Sequence, residues 1–302
     1  MSNFTNVTVL GTGVLGSQII MQAAFAGKNV VAYDIGQEQL NKLPARWEWI
    51  RGHYRNDLAG YTDEQYDAAV SRITVTTDLA EAVGSADVVI ESIPEQLELK
   101  KDVWAKVGAA APDHTILLTN TSSLRPSDFA GATGHPERFL ALHFANTVWR
   151  NNTGEVMATS FTDKKVFEDT QEFARQINLE VFPIHKEIPG YIINSLMIPW
   201  LFSAAKLYLA EAADPQVIDH DWKVSLGSPR GPFEVFDIVG FNVAYHIIMG
   251  GPYAEMKPFA EQLKAKGMDR GRTGLGDGIG FYEYDEQGQI VRPNPDWVIY
   301  GD

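Results

Sequence analysis

The sequence contains no cysteine among its 302 residues, and it has few basic residues for its length. Without cysteine, disulfide bonds, thiolate zinc sites and cysteine nucleophiles are excluded. Lysine and arginine total 25 against 39 aspartates and glutamates, which gives a formal net charge of −14. This charge has the wrong sign for general binding to nucleic acids or anionic membranes. We therefore expect neither as a partner, and we expect any anionic ligand to be held by a local group of donors.

The N-terminal segment MSNFTNVTVL lacks a basic stretch and an apolar stretch of signal-peptide length. Secretion is not expected from this pattern, and the absence of cysteine fits a reducing compartment, so we predict a cytoplasmic location. One long apolar segment covers residues 192–210, but Asn194, Pro199 and Lys206 interrupt it. We predict a buried helix there rather than a membrane span.

Short apolar runs alternate with helical stretches through the first half of the chain. The predicted strands are residues 7–10, 29–34, 73–76, 86–92, 115–120, 139–144 and 179–184. Such alternation is typical of an α/β fold, and we predict a doubly wound, Rossmann-type, mostly parallel sheet. After KEIPG the strand signals stop, and the remainder is apolar at helical spacing. We therefore predict two domains, an α/β domain over 1–186 and a smaller all-helical domain over 187–302.

The first predicted strand leads directly into GTGVLG, in which Gly11, Gly13 and Gly16 form the G-x-G-x-x-G pattern. A helix-compatible stretch follows, and the second strand ends in Asp34, as a dinucleotide-binding fingerprint requires. Gly11 allows the tight turn, Gly13 allows close approach of a pyrophosphate, and Gly16 allows close packing of helix and strand. Asp34 would accept hydrogen bonds from the adenosine ribose and repel a 2′-phosphate, which favours NAD over NADP. The alternative is a glycine-rich turn without a ligand.

Three later strand-like runs end in polar residues, within ESIPE, TNTSS and LHFAN. The carboxyl ends of parallel strands meet at the ligand crevice of a doubly wound sheet, so these residues are expected to converge.

Seven motifs together make the chain resemble the L-3-hydroxyacyl-CoA dehydrogenase family over nearly its whole length. They are GTGVLG, IPEQLELK, NTSSL, LHFAN, IPGYIIN, GSPRGPFEVFDIVG and GIGFYEY, and they follow the family's order and approximate spacing. The resemblance implies NAD-dependent oxidation of a 3-hydroxyacyl-CoA in fatty acid metabolism. It also implies a homodimer in which apolar helices of the second domain form the contact.

The resemblance assigns His143 as the catalytic histidine and Glu155 as the glutamate that orients and supports it. Ser122 and Asn194 match polar residues that bind the reacting oxygen, and Ser122 also lies near the nicotinamide in that family. The cofactor contacts implied by the motifs are Gly11, Gly13, Val14, Leu15, Gly16, Asp34, Glu95, Lys100, Ser122 and Asn146.

A neutral imidazole suits oxidation of a secondary alcohol because it accepts the hydroxyl proton as the hydride leaves. A carboxylate on its other nitrogen fixes the tautomer and stabilises the imidazolium. Alone, a histidine at a strand end is more often structural, and Glu155 more often a solvated loop carboxylate. Ser122 and Asn194 would be ordinary turn and helix-cap residues.

The chain departs from the family pattern around its substrate. Ala145, Thr147 and the polar run WRNNTG stand where the family usually has an aromatic, a proline and an apolar stretch. Ser195 replaces the usual arginine after Asn194. The lysines that meet the CoA phosphates in the family are not evident, and the nearest basic residues are Arg46, Arg51 and Arg55. The family's usual lysine before GIGFYEY is also missing, and Arg272 is the closest alternative.

These departures leave two alternatives open. One is a dehydrogenase of a free 3-hydroxy acid such as L-gulonate or carnitine, and the other is a non-catalytic NAD-binding sensor or structural protein. No metal site is predicted, because no cluster has ligand spacing. The histidines outside the motifs are interpreted as structural or surface residues: His53, His114, His135, His185, His220 and His246.

Overall fold

The computed structural model describes residues 4–300. The chain divides into two compact units, the first ending at Ile192 and the second beginning at Ile193. Sequence analysis placed this division between residues 186 and 187. In the structure it falls within the first turn of a helix that continues into the second unit.

The first unit is built on one eight-stranded sheet, and the sequence predicted seven of its strands. Its strands are β1 Asn6–Leu10, β2 Asn29–Tyr33, β3 Ile73–Thr76, β4 Val88–Glu91, β5 Ile116–Thr119, β6 Phe139–Phe144, β7 Thr153–Met157 and β8 Glu180–Ile184. The order across the sheet is β3-β2-β1-β4-β5-β6-β7-β8. Strands β1 to β6 pair in parallel, whereas β7 is antiparallel to β6 and parallel to β8. The prediction of a doubly wound, mostly parallel sheet is therefore confirmed.

Strand β7 was not predicted, because TGEVM is short and follows the polar run WRNNTG. This strand has a functional consequence, since it places Glu155 on the sheet rather than in a loop.

Helices cover both faces of this sheet. In the first unit they are α1 Val14–Phe25, α2 Gln37–Leu40, α3 Leu43–Asp57, α4 Asp63–Val70, α5 Leu79–Val83, α6 Leu97–Ala110, α7 Ser127–Ala130 and α8 Lys164–Gln176. Successive residues of the central strands alternate between two apolar clusters: Val88 and Ile90 belong to one, and Val89 belongs to the other. Burial of both faces explains why these strands read as continuous apolar runs.

The second unit is mainly helical. Its first helix is α9 Tyr191–Leu209, which begins in the first unit. The α-helices that follow are α10 Pro215–Leu226, α11 Pro232–Val239, α12 Phe241–Gly250 and α13 Lys257–Gln262. An aromatic core that includes Phe233, Phe281 and Trp297 holds them together. The unit also contains an antiparallel hairpin, β9 Tyr282–Tyr284 and β10 Ile290–Pro293, which the prediction of an all-helical domain did not include.

Two buried aspartates join the hairpin to the helices of the second unit. Asp219 accepts hydrogen bonds from the Phe233 amide and the Tyr282 hydroxyl, both at 2.8 Å. Asp237 accepts from the Phe281 amide and the Tyr284 hydroxyl, also at 2.8 Å. The motifs GSPRGPFEVFDIVG and GIGFYEY are thus parts of one buried polar network.

Helix α9 is less buried than the sequence predicted. Among the described residues it is the single helix of at least 18 residues that is long and apolar enough to cross a membrane, and 28% of its most apolar window is buried. Leu196 is 67% exposed and Leu207 is 49% exposed. Length and composition do not distinguish a membrane span from a helix that packs against protein, so the exposed side chains show that this face needs a covering surface.

Candidate active site

The side chains of His143 and Glu155 form a direct pair at the carboxyl edge of the parallel strands. His143 on β6 lies opposite Glu155 on β7 in the antiparallel register. The imidazole Nδ1 is 2.9 Å from Glu155 Oε2. Because an ionised carboxylate only accepts hydrogen bonds, we assign the proton to Nδ1, which leaves the Nε2 lone pair for a substrate. The two predicted residues are therefore brought together, twelve positions apart in sequence but adjacent on the sheet.

Glu155 is held from a second direction. Its other oxygen, Oε1, accepts a 2.9 Å hydrogen bond from the Ile192 amide in the first turn of α9. The residue is 4% exposed. A buried carboxylate is expensive unless hydrogen bonds satisfy it, and an amide at a helix N-terminus is a favourable partner for an anion. The pair is thus built to keep a negative charge fixed beside the imidazole.

Tyr191 completes the surroundings of His143 and was not predicted as a site residue. Its ring stacks on the imidazole with the centroids 4.3 Å apart and the planes inclined by 13°. Its hydroxyl donates a 2.6 Å hydrogen bond to the Thr121 carbonyl. The motif IPGYIIN contains this residue, but nothing in the motif shows which side chain its ring meets.

The loop after β5, which carries Ser122, is organised by a single carboxylate oxygen. Glu95 Oε1 accepts hydrogen bonds from the Thr121 hydroxyl at 2.5 Å, the Ser122 amide at 3.0 Å and the Ser123 amide at 2.8 Å. Partial burial by itself raises the pKa of Glu95, but these donors and the nearby charge of Lys100 outweigh it and lower the pKa to about 2. The loop geometry therefore depends on an ionised Glu95.

The buried Lys100, which forms an ion pair with Glu91, also contacts the second carboxylate oxygen of Glu95. The Lys100 ammonium lies 2.6 Å from Glu91 Oε1 and 3.2 Å from Glu95 Oε2. Lys100 is 1% exposed and Glu91 is fully buried. Glu91 also accepts a 2.7 Å hydrogen bond from the Thr119 hydroxyl. The structure thus places the Lys100 charge between two carboxylates, and its predicted contact with a cofactor stays a prediction.

The glycine-rich loop has the geometry that a dinucleotide requires. Gly11 has φ +94°, and a Cβ there would lie 2.4 Å from the Ser92 carbonyl oxygen. A Cβ at Gly16 would lie 2.1 Å from the Gly11 carbonyl oxygen, so the helix packs against the turn at this point. The space beside Gly13 is open, and α1 begins there without a side-chain cap. The first-turn amides of α1, which include those of Val14 and Leu15, are available to an anion.

Asp34 lies beside this loop at the end of β2. Its Oδ2 accepts hydrogen bonds from the Thr12 amide at 2.9 Å and the Thr12 hydroxyl at 2.8 Å. Its Oδ1 is 3.5 Å from the Gly36 amide. Arg46 donates to the Thr12 carbonyl from the next helix. The carboxylate is therefore fixed to the phosphate loop, and its predicted role at the ribose stays a prediction.

Asn146 is brought to the first turns of α1. Its Oδ1 lies 3.4 Å from Gln18 Nε2, and Gln18 Oε1 accepts a 2.8 Å hydrogen bond from the Thr147 amide. On the neighbouring strand end, Asn120 Oδ1 accepts a 2.9 Å hydrogen bond from the Phe144 amide. Neither Gln18 nor Asn120 was predicted, although Asn120 belongs to the recognised motif.

The atypical run WRNNTG is anchored to helix α3. The Trp149 indole donates a 2.8 Å hydrogen bond to Asp57, and Arg150 pairs with the other oxygen of Asp57 at 2.5 Å. The Trp149 ring packs against the rings of Trp49 and His53. The loop formed by this polar run is thus held to α3 by hydrogen bonds to Asp57 and by aromatic packing of Trp149.

Two arginines of helix α3, Arg51 and Arg55, are paired with acidic neighbours. Arg51 forms ion pairs with Asp67 at 2.5 Å and Asp63 at 3.5 Å, and Arg55 pairs with Asp63 at 2.8 Å. A CoA phosphate would have to compete with these carboxylates.

The remaining predicted residues are placed as follows. Ser122 is exposed on its loop, and Asn194 is half-buried in α9, in the second unit. Among residues 4–300, no group of three or more His, Asp or Glu side chains has the arrangement of a metal site.

Comparison with known proteins identifies relatives of the whole chain. The family described as 3-hydroxyacyl-CoA dehydrogenase, NAD binding domain, matches residues 6–188, and its C-terminal domain matches residues 190–284. The mitochondrial hydroxyacyl-coenzyme A dehydrogenase of Homo sapiens is 34% identical over 293 residues, which cover 92% of this chain and 91% of the relative. The 3-hydroxybutyryl-CoA dehydrogenase of Clostridioides difficile is 28% identical over 93% of this chain and 99% of the relative.

Solved structures agree with these relatives. A diketoreductase, described as acting on dicarbonyl compounds, is 48% identical with a TM-score of 0.90, over 94% of this chain and all of the other. FadB2 of M. tuberculosis is 28% identical with a TM-score of 0.84, over 94% and 100% of the two chains.

Proposed function

The chain belongs to the 3-hydroxyacyl-CoA dehydrogenase family and is an NAD-dependent oxidoreductase, and we propose from this that it oxidises an L-3-hydroxyacyl-CoA reversibly to the 3-ketoacyl-CoA. The observation that carries the proposal is the buried His143–Glu155 pair, with Nδ1 and Oε2 2.9 Å apart. A protein that only bound NAD would have no need of it. A place in fatty acid metabolism follows from this reaction.

In the proposed reaction His143 accepts the proton of the substrate 3-hydroxyl at Nε2. Glu155 holds the Nδ1 proton, fixes the tautomer and stabilises the imidazolium that forms. Proton transfer by a placed side chain is worth roughly 10²–10⁴-fold in rate. In the reverse direction the imidazolium returns this proton to the carbonyl oxygen.

Ser122 and Asn194 are proposed as donors to the reacting oxygen. A hydroxyl and an amide are suited to stabilising the negative charge that develops there. Support for Ser122 comes from its loop, which Tyr191 connects to the His143 ring. For Asn194 the support is its match to the family motif.

The residues around the glycine loop fit NAD. The open space beside Gly13 and the uncapped first turn of α1 fit a pyrophosphate, and Asp34 fits the hydroxyls of a ribose. NAD, when bound, accepts the hydride from the substrate carbon. The protein supplies the cofactor's position, through the phosphate loop, and the proton acceptor.

A free dicarbonyl or free 3-hydroxy compound is a second candidate substrate. Two observations favour it: Arg51 and Arg55 are engaged by Asp63 and Asp67, and a 48% identical protein is described as a diketoreductase. The reacting group would be the same, so the His143–Glu155 pair would serve both substrates.

A matched pair of substrates separates these proposals. Oxidation of NADH is measured with acetoacetyl-CoA, with ethyl acetoacetate, which carries the same acyl group without CoA, and then with a second dicarbonyl compound that lacks CoA. A 3-hydroxyacyl-CoA dehydrogenase gives a kcat/KM at least about a hundredfold higher with acetoacetyl-CoA. The reverse order would overturn the CoA proposal, and no oxidation of NADH with any of these compounds would contradict both.

We also propose that the protein forms a homodimer through its second unit. Helices α9 and α10 expose a set of large apolar side chains: Leu196, Leu207, Val217, Val224 and Leu226. A groove of about 360 Å³ between these helices is lined in part by Trp200 and Trp222. Monomers rarely leave so many apolar groups exposed in one region.

A further inference from the structure

The Tyr191 side chain contacts two parts of the site, the His143 ring and the loop that carries Ser122. Its ring lies flat against the His143 imidazole, 4.3 Å away between centroids. Its hydroxyl donates a 2.6 Å hydrogen bond to the Thr121 carbonyl, next to Ser122. We propose that Tyr191 is a positioning residue: its ring holds the imidazole plane for proton transfer, and its hydroxyl holds the loop that carries Ser122. The proposal rests on the proposed role of His143 as the base.

The Tyr191 ring restricts a motion of the His143 imidazole that the hydrogen bond to Glu155 does not prevent. One hydrogen bond at Nδ1 fixes one corner of the imidazole, but the plane can still rock about that bond. An aromatic ring inclined by only 13° and packed on the face of the imidazole blocks this rocking. The orientation of a base contributes strongly to rate, because small misplacements are costly. A stacked aromatic face also favours the imidazolium that forms during the reaction.

The hydroxyl acts on the Ser122 loop. Glu95 binds this loop through the Thr121 hydroxyl and three amides, and Tyr191 binds the Thr121 carbonyl. The loop is therefore fixed at the hydroxyl and at the carbonyl of Thr121.

Tyr191 is not suited to be the proton-transfer group itself. Burial and the surrounding carboxylates raise the pKa of its phenol well above the ordinary value. Its proton is already donated to a backbone carbonyl. The residue thus acts through its neighbours.

The backbone at this point is held in an uncommon conformation. Tyr191 has φ +54°, directly after Gly190 with φ +82°. A non-glycine residue in the left-handed region is unfavourable and persists where the surroundings fix it. The next amide, that of Ile192, donates to Glu155 Oε1 at 2.9 Å. The three residues 190–192 therefore contact His143, Glu155 and the Ser122 loop, and they connect the His143–Glu155 pair to that loop.

Two substitutions separate the ring from the hydroxyl. Tyr191→Phe keeps the ring and removes the donor, whereas Tyr191→Met fills the space without an aromatic face. We expect Tyr191→Met to lower kcat about tenfold with KM within about twofold. We expect Tyr191→Phe to lose only about threefold in kcat. Tyr191→Leu is a second variant without a ring, in case the methionine variant does not fold.

A spectroscopic readout makes the test independent of turnover. In ¹⁵N-labelled protein, the His143 signals are identified by their loss in His143→Gln. Wild type and Tyr191→Phe should show one tautomer, protonated at Nδ1. Tyr191→Met should show exchange between two, because a rocking imidazole weakens the Nδ1 hydrogen bond to Glu155 that fixes the tautomer. If wild type oxidises no substrate, the proposed function fails, and the tautomer comparison still tests Tyr191.

Matched controls remove a buried ring and a buried hydroxyl elsewhere in the first unit. Phe173→Leu removes a ring that packs on Phe4, and Thr115→Val removes a hydroxyl that donates to the Ala86 carbonyl at 2.6 Å. Both should lower stability and leave kcat and the His143 tautomer unchanged. A Tyr191→Met or Tyr191→Leu enzyme with wild-type kcat and a single tautomer would overturn the proposal.

Discussion

Asp34 is the side chain to which we attribute the expected preference for NAD over NADP. Its carboxylate is fixed by two hydrogen bonds from Thr12, so its charge has a defined place beside the phosphate loop. A 2′-phosphate at the adenosine ribose would bring a second negative charge close to the Asp34 carboxylate, and the two charges would repel each other. We therefore expect the charge of Asp34 to favour NAD over NADP.

We predict that Asp34→Asn raises the ratio of kcat/KM for NADPH to that for NADH by about tenfold, because the repulsive charge is removed while an acceptor remains. The ratio is measured with one substrate at saturation. Asp87→Asn is the matched control, since Asp87 also accepts two backbone amides but lies at the opposite end of β1. An unchanged ratio in Asp34→Asn would contradict this role.

At the same scale, sequence reasoning identified most of the chemistry but not its supports. His143, Glu155 and the glycine loop are recognisable from motifs. Tyr191 and Gln18 are not, because their partners lie far away in sequence and depend on how two elements approach. Lys100 was predicted as a cofactor contact, yet its burial between Glu91 and Glu95 is visible only in three dimensions.

Among the elements, the loop from residue 121 to 124 depends on the charge of Glu95. The folded state lowers the pKa of Glu95 to about 2, from an ordinary value of 4.5. Between these values the unfolded chain binds more protons than the folded chain. Glu95 therefore contributes stability that is fully present above about pH 4.5 and is lost as the pH falls towards 2.

We predict that Glu95→Gln is less stable than wild type at pH 6 and that the difference shrinks as the pH is lowered to about 2. Chemical unfolding at a series of pH values measures this difference. Glu98→Gln, at an exposed position in the first turn of α6 just after Glu95, should match wild type throughout. A difference that stays constant over the whole range would show that the charge of Glu95 is not the cause.

The strands that were predicted and those that were missed show where sequence patterns are informative. The strands that precede β7 were predicted because burial on both faces produces apolar runs. Strand β7 was missed, since its neighbours set its conformation: it pairs with β6 on one side and β8 on the other. The hairpin of β9 and β10 was missed for a similar reason, because it is fixed by hydrogen bonds to buried Asp219 and Asp237.

For the whole molecule, the proposed homodimer would cover the exposed apolar side chains of helices α9 and α10. We predict a dimer by light scattering at micromolar concentration, and we predict that Leu196→Asp shifts it to a monomer, since a charge would be buried in the contact. Val291→Asp, at a side chain 62% exposed on β10, is the matched control and should stay dimeric. A wild-type protein that is monomeric at all concentrations would rule out this assembly. The cytoplasmic location stays a prediction.

The central claim is that His143, supported by Glu155, transfers the proton in an NAD-dependent reaction. Its most direct test is the steady-state oxidation of NADH with acetoacetyl-CoA by wild type and His143→Gln, with NADH binding measured by fluorescence. We predict that His143→Gln binds NADH as wild type does and loses about a thousandfold in kcat, and that Glu155→Gln loses about a hundredfold. A His143→Gln enzyme that binds NADH and turns over at the wild-type rate would contradict the account.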